Sequence, residues 1–133
     1  MTVSESIINW LYGYDTNVDG IDTDIVSAST ASYALSKEPT VNIKKYLSGK
    51  VERTEYYQLT ARLDSQTNAD RKDNTMWLEG LEKWVKEQTE QGNVPIVNGK
   101  PVTDIYISSS FYLGRNAEDN SLYSLTMAIR YTT

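Results

Sequence analysis

The chain contains no cysteine and no histidine in its 133 residues. The first absence excludes disulfides and thiolate chemistry. The second removes the commonest general base and the commonest transition-metal ligand. No apolar run approaches the length needed to cross a membrane, and the N-terminus lacks the basic-then-apolar layout of a signal peptide. The expectation is a soluble, cytosolic protein. Cations are in deficit as well: 13 Lys and Arg face 18 Asp and Glu, for a net charge of −5. Such a balance argues against direct nucleic-acid binding, which wants a basic patch. No glycine loop suited to cradling phosphate is present.

What the chain does have is aromatic residues, with ten tyrosines and three tryptophans. Tyrosine suits interfaces because it combines an apolar body with a polar tip. The length predicts a single domain, residues 1–133, able to bury roughly two-thirds of its unfolded surface without a staple. The segment Val51–Gly92 organises the rest. Val51–Leu63 reads as a long strand. From Tyr57 it alternates strictly, with Tyr57, Leu59, Ala61 and Leu63 on one face and Gln58, Thr60 and Arg62 on the other. Period two with one polar face predicts a sheet wet on one side. Thr67 and Asp70 have the form of a capping box, with Asp in the usual Glu position. Ala69, Met76, Trp77, Leu81, Trp84, Val85 and Gln88 then fall at helical spacing, and Gly92 is the stop.

Before this unit, Ser4 is the expected cap of a short helix carrying Val3, Ile7, Trp10 and Leu11, ended by Gly13. An acidic loop, Asp15–Asp24, follows, and Ile21–Ser27 is read as a short strand. Residues 28–36 are either a second edge strand or a surface excursion. Pro39 is expected to break the chain. Val41 and Ile43 alternate in a short piece whose Lys44 and Lys45 suit an edge or an ordered loop. Ser48-Gly49-Lys50 is a turn signal. After the long helix, Asn98-Gly99 predicts a tight turn. Two strands close the chain. In Thr103–Leu113 one face carries Thr103, Ile105, Ile107, Ser109, Phe111 and Leu113. The other carries Tyr106, Ser108, Ser110 and Tyr112. In Ser121–Thr132 one face carries Tyr123, Leu125, Met127, Ile129 and Tyr131, and the other carries Ser124, Thr126, Ala128 and Arg130. A polar hairpin loop, Gly114–Asn120, joins them. The fold class is therefore α+β: an antiparallel sheet with helices packed on one face.

Little in this inventory carries chemistry. Asp15, Asn17, Asp19 and Gly20 match the opening of a calcium-binding EF-hand loop. The match then fails, because the twelfth position is Val26 and the eighth is Asp22. A solvated turn rich in Asx residues explains the same letters. Glu79, Glu82, Glu87 and Glu90 with Lys83 and Lys86 read as a solvated helix face, with Glu79–Lys83 and Glu82–Lys86 as i,i+4 pairs. Asp70 and Asp73 suit a helix first turn. Ser108-Ser109-Ser110 has no histidine to activate it. No catalytic, cofactor-binding or metal-ligating residue is assigned, and an enzyme is not expected.

The runs Ser32–Thr40, Glu55-Tyr56-Tyr57, Ala61–Asp64, Thr67–Arg71, Leu81–Trp84 and Ser108–Arg115 together resemble a family of small virion proteins of phages infecting Gram-positive bacteria. These proteins are described as minor capsid or tail proteins and look like tail terminators. The match extends over nearly the whole chain from Tyr33; the acidic loop forms no part of it. The resemblance implies a homohexameric ring that caps the tail tube, stops its polymerisation and joins the tail to the head. The implied partners are further copies of the chain, the tail tube protein and a head–tail connector or neck protein. Genomic DNA would pass through without specific binding. Six copies would carry about −30 in total, and a negative lumen repels DNA rather than holding it. The implied location is the virion tail or neck, reached from the host cytoplasm. A neck or minor capsid component is the alternative among virion proteins. A monomeric cation-binding module built on Asp15, Asn17 and Asp19 is the alternative from another class.

Overall fold

The long alternating strand is the centre of the sheet. The structure, a computed structural model, describes residues 2–14, 22–23, 32–64, 68–115 and 120–132. Its elements are α1 (Val3–Leu11), β1 (Asp22–Thr23), β2 (Ser32–Lys45), β3 (Val51–Asp64), α2 (Asn68–Gln91), β4 (Ile96–Val97), β5 (Lys100–Pro101), β6 (Asp104–Arg115) and β7 (Asn120–Thr132). The main sheet has the order β1-β2-β3-β7-β6. Its four long strands are antiparallel, and the two-residue β1 adds in parallel beside Ala34 and Leu35. Both helices pack on one face, so the α+β architecture is as the pattern predicts.

The covered face is apolar because the alternating residues all meet there. Tyr57, Leu59, Ala61 and Leu63 of β3 are buried with Tyr123, Leu125, Met127, Ile129 and Tyr131 of β7. Ile7, Ile8 and Leu11 of α1 and Leu81 and Val85 of α2 close over them. Four of the ten tyrosines, Tyr33, Tyr57, Tyr123 and Tyr131, therefore serve the interior rather than an interface. Trp10 of α1 packs against Trp84 of α2, the rings tilted by 46° with centroids 4.7 Å apart. Tyr14 lies against Trp77 and Trp84 and donates its hydroxyl to the Trp77 carbonyl at 2.7 Å. Gly80 makes room for this contact, since a Cβ there would sit 2.7 Å from the Tyr14 hydroxyl oxygen.

Local signals place most element ends. Gly92, at φ +79°, stops α2 with paired bonds: its N–H donates to Thr89 and that of Asn93 to Gln88. Asn98 and Gly99 both have positive φ and turn β4 back onto β5. The first helix is capped by Thr2 rather than Ser4. The Thr2 hydroxyl accepts from the Glu5 N–H, and Ser4 lies inside the helix. The Thr67 cap lies outside the described residues.

Four expectations change. Pro39 does not break the chain: residues 32–45 form one strand, and the pairing slips between Lys37 and Val41. A bulge absorbs a proline because the residue without an N–H falls where the ladder is interrupted. Gly114, Arg115 and Asn120, expected in a loop, are strand residues. In β6 the pairing slips between Ile107 and Ser109. Phe111 therefore stands opposite Ser124, and the predicted faces exchange over residues 109–112, until a second slip between Tyr112 and Gly114 restores the phase. Finally, the outer sheet face is not wet throughout. Ser124, Thr126 and Ala128 of β7 are buried as fully as the residues on its core face. Ala128 is flanked in register by Tyr56 and Tyr106, and Gln58 donates to the Ser124 hydroxyl at 2.6 Å. The bulges in β2 and β6 bend both flanks of the sheet around these small residues.

Candidate assembly interface

The lower half of β2 and β3 extends as a hairpin, with Val41–Lys45 paired against Val51–Glu55. Its tip is ordered by its own backbone. The Tyr46 N–H donates to the Lys50 carbonyl at 2.9 Å, and the Gly49 N–H to the Tyr46 carbonyl at 3.0 Å. Gly49 sits at φ +89°, a conformation that favours glycine. The tip is unusually apolar for a solvent position. Leu47 is fully exposed (109%), Ile43 is 52% exposed and Tyr46 38%. It is also basic. The Lys44 and Lys50 ammonium groups lie 5.2 and 5.7 Å from the centre of the Tyr46 ring, and Lys45 stands beside them in sequence. No carboxylate falls between residues 44 and 50 of this acidic chain.

The hairpin base is braced by a buried carboxylate. Glu55 continues the core face of β3 below Tyr57 and is 2% exposed. Its Oε2 takes the Lys37 ammonium at 2.9 Å and the Arg53 guanidinium at 3.4 Å. Its Oε1 accepts from the Tyr131 hydroxyl at 3.0 Å, and the Tyr57 hydroxyl stands 3.5 Å away. Burial by itself raises the Glu55 carboxyl. The hydrogen bonds from Lys37 and Tyr131 and the charges of Lys37 and Arg53 outweigh it, so the group sits below its ordinary 4.5. Burial and the Glu55 charge push the Tyr57 hydroxyl upward. Tyr131 is raised by burial and by its bond to Glu55. The sequence signal was present: Glu55 is two residues before Tyr57, in phase with the apolar face. A charge at an apolar position marks a buried pair, but its partner Lys37 is on another strand.

A groove runs between α2 and β6, the last strand of the sheet, with a volume of ≈ 620 Å³. Val85, Ile105 and Ile107 line it, with Tyr106 on its border. Thr89 holds the two walls together, its hydroxyl lying 2.8 Å from the Val85 carbonyl and 3.0 Å from that of Ile105. Glu79, Glu82, Glu90 and Asp104 face the groove with Lys83 and Lys86. The ion pair on this helix face is Lys83–Glu87 at 3.8 Å, in place of the predicted Glu79–Lys83 and Glu82–Lys86. Four carboxylates against two lysines leave the groove acidic. On the outer face, the two bulges border a shallower trough of ≈ 450 Å³ lined by Glu38, Tyr56, Gln58, Ser108 and Thr126 among others.

The sequence candidates disperse. Of the acidic loop, only Asp22 and Thr23 fall among the described residues, as strand β1; Asp15, Asn17 and Asp19 lie outside them. Ser108 donates its hydroxyl to the Thr126 carbonyl, a bond within the sheet. Met76, expected in the helix stripe, is 68% exposed, whereas Trp77, Leu81, Trp84 and Val85 pack on the core. Among the described residues no group of three or more Asp, Glu, His or Cys is placed to hold a metal ion, and no helix is long and apolar enough to cross a membrane.

No family model matches the chain, and no curated protein matches it in sequence. The fold is similar to that of a chain in a solved structure described as the virion of a native gene transfer agent particle. The TM-score is 0.64 at 12% identity, over 99% of this chain and 96% of that one.

Proposed function

We propose that the protein is a structural component of a phage-like virion and acts as a tail terminator. In this reading, copies close into a ring, six as the sequence resemblance implies, that caps the tail tube, stops its growth and presents a surface to the head–tail connector. The carrying observation is the end-to-end fold likeness to a chain of a gene transfer agent virion. The sequence resemblance to small phage virion proteins points the same way. The molecule's distinctive surfaces also suit assembly better than chemistry: an exposed apolar hairpin tip and an open acidic groove, rather than a cluster of converging reactive groups. A ring subunit needs two unlike surfaces, because head-to-tail contacts join different patches and close by rotation. The test combines solution mass with function. Light scattering across protein concentration should show a discrete multiple near six subunits. Added to polymerising tail tube protein, the ring should fix tube length at sub-stoichiometric amounts. Tubes that grow on unchanged would rule the terminator role out and leave the neck or minor capsid role.

A further inference from the structure

We propose that the contact between neighbouring copies is the hairpin tip of one subunit, residues 43–50, seated in the α2–β6 groove of the next. This deepens the ring reading and rests on it. Chemistry and geometry both support the assignment.

The tip presents an exposed leucine and tyrosine amid three lysines, with no acid among residues 44–50. The groove presents the reverse: an apolar floor at Val85, Ile105 and Ile107 under four carboxylates and two lysines. Its ≈ 620 Å³ is within the range, about 300–1,000 Å³, that accepts a few side chains. Fully desolvated apolar anchors ringed by complementary charge are how specific contacts divide energy from selectivity. The tip is also ordered before it binds. Two backbone bonds close its turn, and the Glu55 cluster fixes its base, so little freedom is lost on docking.

Placement makes the contact one between copies. β3 and β7 separate β2 from β6, about 14 Å at ordinary strand spacing. The ladder from Val41–Lys45 to Val51–Glu55 holds the tip in line with its strands. A subunit therefore cannot fill its own groove. Each copy carries one tip and one groove on different strands of the sheet, so the contact can run head to tail from copy to copy and close into a ring by rotation.

The test uses the full chain. Leu47→Asp disrupts the tip, and Glu79→Lys/Glu82→Lys reverses the groove; Leu47 and Glu79 are exposed and Glu82 is half-buried. Each variant should remain folded by circular dichroism and lose self-association at least about thirtyfold, the threshold of a hot spot. Mixed together, the two variants should pair one to one and stop there, because the mixture holds one intact tip and one intact groove per pair. Combining Lys44→Glu/Lys45→Glu with Glu79→Lys/Glu82→Lys in one chain should restore the oligomer. The chain has no cysteine, so Ser48→Cys at the tip and Lys86→Cys in the groove, combined in one chain with a short bismaleimide, should give a covalent ladder beyond dimer. Neither single-cysteine variant can do so. Wild-type oligomers that survive both surface variants would overturn this contact while leaving the ring intact. A ring that forms normally in Leu47→Asp but no longer arrests tubes would assign the tip to the tube protein instead and overturn it too. A wild type that stays monomeric and gives no ladder at the highest attainable concentration would refute the contact, leaving tube arrest to decide the terminator role separately.

Discussion

Strand β3 carries two halves stabilised by different physics. From Tyr57 to Leu63 it lies under the helices, and every second side chain is buried in hydrocarbon. From Val51 to Thr54 its side chains are only half-buried, and Glu55 is buried as a charge. There the same face is held by Glu55, Lys37, Arg53, Tyr57 and Tyr131. The helical half is stabilised by apolar area removed from water, roughly 25 cal/mol per Å². The hairpin half has too little apolar cover for that and relies on a satisfied charge cluster, which contributes orientation more than stability. Apolar burial resists loss of the fold; the charge cluster ties β2, β3 and β7 together beneath the tip at residues 46–50. The first half keeps the molecule folded, and the second offers a surface.

The comparison can be broken from the apolar side first. Leu59→Ala removes a 2% exposed side chain under the helices, and should lower stability by about 3 kcal/mol, read from the urea midpoint. Glu55→Leu attacks the other half. It leaves Lys37 and Arg53 without their carboxylate, but both are partly hydrated, at 46% and 32% exposure. The expected loss is about 2 kcal/mol, below the usual figure for breaking a fully buried pair. Equal losses in the two variants would erase the distinction.

Acid sharpens it. The folded Glu55 pKa lies below its ordinary 4.5. Its contribution is therefore full above that value and is lost as pH falls through it toward the depressed folded pKa. Between pH 6 and pH 3 the stability gap between wild type and Glu55→Gln should narrow, while the Leu59→Ala deficit stays constant. The Tyr57 hydroxyl, raised from 10.0 by burial, works in the opposite direction. Its contribution is present below pH 10 and fades as pH rises toward the folded value.

Two smaller effects complete the series. Tyr14→Phe loses the hydrogen bond to the Trp77 carbonyl but keeps the ring contacts, and should cost about 1 kcal/mol in thermal unfolding. Leu47→Asp should change stability by no more than about 0.5 kcal/mol, because its side chain already lies in water. A large stability loss there would mean that the tip packs within its own chain, contrary to its exposure.

Much of this was legible in the sequence, and the reason is local. Tyr57–Leu63 and Tyr123–Tyr131 alternate because a strand has period two. Trp77, Leu81, Trp84 and Val85 share a stripe because a helix has period 3.6. Gly92 and Asn98-Gly99 act through their own backbone. The candidate interface was much less visible. Lys44 and Lys45 suggested an edge, but nothing in the sequence exposes Leu47 at the tip or opens a groove beside Ile105. Ser124 and Ala128 look like solvent positions in their own strand. Ala128 is flanked by Tyr56 and Tyr106 and Ser124 accepts from Gln58, all of them from neighbouring strands.

Local pattern along the chain therefore sets both helices, the strands β3, β6 and β7, the apolar face they share and most of the turns, since each depends on neighbours within a few residues. The continuous course of β2 through the bulge at Pro39, the exchanged faces within β6, the partners of Glu55 and the separation of tip from groove arise only in the folded sheet. Each of those depends on which strand lies beside which, and that pairing is set by residues tens of positions apart.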